Sequence, residues 1–65
     1  MKIIRYADEI INLAEVRNIE PRIFGKTVDV FFFFKNSNDY ACIKISKTEL
    51  TPFINKCYEI MTRED

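Results

Sequence analysis

The chain has 65 residues, enough for one small domain spanning 1–65 and too few for a second core. It has two cysteines, no histidine, and ten basic against ten acidic residues. That composition excludes a multi-disulfide scaffold, denies a zinc site its ligands, and weighs against a protein that grips nucleic acid mainly by phosphate.

A domain this small buries only about 60% of the surface of its unfolded chain, so a partner is the remaining route to extra stability. The acid pair Asp8-Glu9 follows closely on Met1-Lys2-Ile3-Ile4-Arg5, which leaves no apolar run long enough for a signal peptide. The longest unbroken apolar stretch, Val30 to Phe34, is far short of a membrane span. The expectation is a cytoplasmic protein with reduced thiols.

Lys2 to Tyr6 reads as a short strand. Residues 9–13 read as a second, with Leu13 to Val16 as a tight turn. The alternative is a helix over about 8–16, because Tyr6, Ile10, Leu13 and Ala14 also have helical spacing. Residues 16–24 form the next strand. Gly25-Lys26 then supplies a two-residue hairpin of type II′, with glycine at its first position. Counting back from that turn sets Ile23 against Val28, Pro21 against Val30 and Ile19 against Phe32. Arg22 falls opposite Asp29 as a surface ion pair. Pro21 cannot donate to a ladder, so a bulge or a free edge is expected there.

Residues 27–35, Thr-Val-Asp-Val-Phe-Phe-Phe-Phe-Lys, are the clearest strand. Its period of two puts Val28, Val30, Phe32 and Phe34 on a purely apolar face and Thr27, Asp29, Phe31, Phe33 and Lys35 on the other. Asn36 to Asp39 is a four-residue polar loop, and Tyr40 to Ser46 is the returning strand. That loop pairs Lys35 with Tyr40, Phe33 with Cys42 and Phe31 with Lys44. A slip of one residue would drive Lys44 into the core.

The last segment is a helix over 51–63. Leu50, Phe53, Ile54, Cys57 and Met61 form its stripe, and Thr51-Pro52 serves as cap and first helical position. A start near Thr48 is the alternative. The fold class is therefore α+β: a three- or four-stranded antiparallel meander with one C-terminal helix on one face.

Nothing points to catalysis or to a cofactor. An imidazole base is missing, and a single glycine rules out phosphate-cradling loops. Cys42 would need a neighbouring base or cation to become a nucleophile, and inert packing is the simpler reading for it and for Cys57. The distinctive feature is the second sheet face. Phe31, Phe33, Tyr40 and Cys42 gather there beside Lys35 and Lys44, and one helix cannot cover both faces. Either the N-terminal segment folds across this patch or it is an interaction site. The first expectation is a protein partner, most simply a second copy in a homodimer. The alternative is a single-stranded nucleic acid stacked on the rings, with Lys35, Lys44 and Lys47 on its phosphates.

Overall fold

A computed structural model describes residues 1–63. The order is β1 (Ile3–Tyr6), β2 (Glu9–Asn12), a 3-10 turn (Leu13–Glu15), β3 (Val16–Phe24), β4 (Thr27–Phe34), β5 (Tyr40–Ser46), a second 3-10 turn (Lys47–Glu49) and α1 (Leu50–Met61). The fold is α+β: β3, β4 and β5 form an antiparallel meander with β4 at its centre, and β1 and β2 form a separate two-stranded hairpin.

The N-terminal segment is thus a hairpin and not a helix. Asn12 ends it by accepting the amide of Ala14 on Oδ1 at 3.0 Å, and the Leu13 amide donates to the Lys2 carbonyl at 2.6 Å. A side-chain oxygen that satisfies a backbone amide two residues on favours a turn over helix propagation. Leu13 then drops into the core at 2% exposure.

The β3–β4 register is the one that the glycine turn dictates, from Phe24 opposite Thr27 to Ile19 opposite Phe32. Gly25 has φ +61°, whereas Lys26 is not in the left-handed region, as a type II′ turn requires. No bulge occurs at Pro21, which is tolerated because β3 is an edge strand. The bulge lies at Arg17 instead, between the pairs Val16–Phe34 and Asn18–Phe33.

The β4–β5 register departs from expectation by two residues. Phe33 pairs with Tyr40, Phe31 with Cys42 and Asp29 with Lys44. The connection is longer because Asn36 adopts φ +55° and the Ser37 hydroxyl accepts the Asp39 amide. The Lys35 amide turns away from β5 to the Glu15 carbonyl at 2.7 Å. A shift of two preserves which face every side chain takes, so Lys44 remains outside the core.

One buried cluster sits on the inner face. Val28, Val30 and Phe32 are fully buried there, with Ile19, Ile43 and Ile45 beside them. Phe53, Cys57 and Ile60 of α1 close the cluster from above, and Ile4, Ile11 and Leu13 of the N-terminal hairpin close its side. The Phe53 ring meets Phe32 and Tyr6 edge-on, with centroids at 6.3 and 5.5 Å. Tyr6 also donates its hydroxyl to Glu49, and Lys2 Nζ donates to the Met61 carbonyl at the C-terminal end of α1, where a cation suits the helix dipole.

The helix differs from expectation at both ends. It is entered through the Lys47–Glu49 turn, has no side-chain cap at Glu49, and carries Pro52 in its first turn, where the missing amide has no acceptor to lose. It stops at Met61, where the Thr62 hydroxyl donates to the Tyr58 carbonyl at 2.9 Å and the next amide, that of Arg63, turns to the Ile60 carbonyl at 3.2 Å, three residues back and not four. Ile60 belongs to the buried stripe, one turn on from Cys57.

Candidate functional site

The outer face of the meander faces away from both the helix and the N-terminal hairpin, which pack together with the inner face. The N-terminal segment therefore does not fold across Phe31 and Phe33. Read across the three strands, the face has four rows: Phe24–Thr27–Ser46, Arg22–Asp29–Lys44, Glu20–Phe31–Cys42 and Asn18–Phe33–Tyr40.

Three rings form a continuous cluster at one end. Phe31 and Phe33 lie nearly parallel, 18° apart with centroids at 6.3 Å, because residues two apart on a strand stand side by side. The tilted Tyr40 ring completes a triangle, 5.7 Å from Phe31 and 6.1 Å from Phe33. The two-residue shift in register brings Tyr40 directly opposite Phe33. Tyr40 remains 60% exposed, and Phe31 and Phe33 are half-buried against each other.

Two arginines lie over this cluster. Arg22 Cζ is 5.0 Å from the Phe31 centroid and Arg17 Cζ is 5.8 Å from that of Phe33, both within cation–π range. Arg22 is also held by Glu20 at 3.5 Å and does not form the expected ion pair with Asp29, although the two stand opposite each other. Arg17 is the residue at the bulge, and its Nε donates to the Phe34 carbonyl at 3.3 Å. In a regular strand Arg17 would share the inner face of Ile19; the extra residue re-aims it outward over Phe33. Sequence reasoning missed Arg17. The available signal was that Val16 and Ile19 are both apolar and three apart, a spacing that an unbroken strand cannot bury on one face.

Of the other expected residues, Cys42 is exposed beside Phe31, Lys44 projects from β5 opposite Asp29, and Lys35 lies just past the end of β4. Burial and the neighbouring Asp29 carboxylate raise the Cys42 thiol above its ordinary range, and the opposing pull of Lys44 is smaller. The thiol is therefore kept in its neutral, weakly nucleophilic form. Among the described residues no three side chains of metal-ligating type gather, and no helix is long and apolar enough to cross a membrane.

Cys57 is the opposite case from Cys42, closed off in the core with its thiol pushed up to about 11 by burial. The two cysteines lie on opposite sides of the sheet. In the native protein iodoacetamide at pH 8 is expected to label Cys42 alone, and both thiols after urea unfolding, as read by mass. Cys57 also carries a pH dependence: the unfolded chain ionises it near its ordinary 9.0, whereas the folded chain resists until about 11. Stability from this group is thus complete below pH 9 and falls between 9 and 11, which thermal melts across that range will register.

The zero net charge conceals a segregation. Residues 16–47 carry Arg17, Arg22, Lys26, Lys35, Lys44 and Lys47 against Glu20, Asp29 and Asp39, while the rest of the chain has four basic and seven acidic residues. The meander and the turn that follows it carry the basic excess of the chain. Its far end has an open depression of about 520 Å³ lined by Lys26, Ser46, Lys47 and Thr48, four residues along β5 from Cys42. No protein-family model, curated protein or solved structure matches the chain.

Proposed function

We propose that this protein is a binding module for single-stranded nucleic acid, with bases stacked on Phe31, Phe33 and Tyr40 and phosphates taken by Arg17, Lys35 and Lys44. The observation that carries the reading is the coincidence of a three-ring cluster with the basic half of the chain. Aromatic rings on an open sheet offer stacking platforms to any base, and flanking cations track the backbone. Lys26 and Lys47 extend the cationic strip past the rings.

A homodimer through the same face is the competing reading, and its size counts against it. Eight residues at about 3.3 Å each by three strands of about 4.8 Å width give a projected footprint of about 380 Å². A standard interface takes about 800 Å² from each partner. A short single strand needs only the rings and their neighbouring cations.

The test is fluorescence anisotropy with labelled dT10 and rU10, beside a matched duplex, over a salt series. Three phosphate contacts on a single strand predict that log K falls with a slope of about −2 against log salt. The single strands are expected to bind more tightly than the duplex, whose bases cannot reach the rings. No binding of either single strand, together with a dimer in sedimentation equilibrium that Phe31→Lys dissociates, would overturn the proposal in favour of self-association.

A further inference from the structure

We infer that Arg22 is a movable cover on Phe31 and that Asp29 is its second station. The inference rests on the stacking reading above for what displaces the cover, but its geometry stands independently. Arg22 now spans two partners, the Phe31 ring at 5.0 Å and Glu20 at 3.5 Å. A base cannot stack on that side of Phe31 while the guanidinium occupies it. Directly across the ladder from Arg22 stands Asp29, whose Oδ1 is shielded from solvent and accepts no hydrogen bond from the protein. Such an atom is costly to leave unsatisfied, and residues directly opposite on antiparallel strands are about 5 Å apart at Cβ, within easy reach of a guanidinium.

The two facts are complementary. Arg22 holds a position that a ligand must vacate, and its neighbour has an unfilled acceptor of opposite charge. Lys44 flanks Asp29 from β5, but no ion pair joins them, and nothing on the rings displaces Lys44. When a base takes Phe31, Arg22 moves to Asp29, exchanging the ring for a charge-assisted hydrogen bond. The face thereby keeps Phe31 covered when empty and loses no ion pairing when filled.

The experiment has a ligand-free arm and a ligand arm. In wild-type protein, NOEs are expected from Arg22 Hδ to the Phe31 ring. In Phe31→Leu, which removes the ring without altering charge, they are expected from Arg22 Hδ to Asp29 Hβ. Absence of that transfer overturns the inference. In the second arm, Asp29→Ala is titrated with labelled dT10. Simple electrostatics has the loss of a carboxylate tighten nucleic-acid binding, whereas loss of the second station weakens it, by about tenfold for one charged hydrogen bond. Tighter or unchanged binding by Asp29→Ala overturns the inference while leaving the stacking reading intact. If wild-type protein does not bind dT10, the stacking reading falls, and the Phe31→Leu arm still decides whether Arg22 moves.

Discussion

Phe32→Ala is expected to unfold the domain, and Phe33→Ala to leave it folded. The two residues are neighbours in sequence and identical in chemistry, but they stand on opposite faces of β4. Phe32 is fully buried between the flanking strands and the Phe53 ring, in the centre of the core. Truncating such a side chain costs about 3–5 kcal/mol, through lost burial and the cavity left behind. Small domains have about 5 kcal/mol at the low end of the usual range, so most of the stability goes. Phe33 touches Phe31, Tyr40 and Arg17 on the outer face, and its loss leaves the core cluster complete. Thermal melts of the two variants should differ by tens of degrees or by the absence of any transition in Phe32→Ala. Equal losses would mean that both faces of β4 are covered.

The legibility of this fold follows from the same periodicity. Alternation along residues 27–35 assigns both faces of β4 with no further information, and Gly25 fixes the β3–β4 register because only one short turn fits it. The β4–β5 register was not legible to the residue. Asn36, Ser37, Asn38 and Asp39 announce a loop without specifying how many flanking residues it recruits, and here it takes Phe34 and Lys35 from the pairing. The error was even, so the face assignments survived it.

The site was legible as a set of rings and not as an arrangement. Phe31, Phe33 and Tyr40 came from parity alone. Arg17 required knowing that β3 is bulged, and the partner of Arg22 required knowing that Glu20, on its own strand, outcompetes Asp29 across the ladder. The charge segregation is a property of the sequence that net charge conceals. It acquires meaning only once residues 16–46 are known to form one layer and the N-terminal hairpin and α1 to pack on its inner side.

The second large effect is expected from the double variant Phe31→Ala with Phe33→Ala, measured against dT10. Stacking on an aromatic side chain contributes about 1–3 kcal/mol per base, so losing two rings should weaken binding by about thirty-fold or more. Neither ring belongs to the buried cluster, and the variant should retain a cooperative melt. The cations are untouched, so the slope of log K against log salt should stay near −2 even as affinity falls. Lys44→Ala should do the reverse, reducing the slope by about 0.7 with a smaller loss of affinity at low salt, because it removes one phosphate contact and no stacking. The two variants thus separate the two halves of the proposed interface on independent axes. If the double alanine variant changed the salt slope and not the residual affinity, the rings would be serving only to hold Arg17 and Arg22 in place, and the bases would be bound elsewhere on the meander.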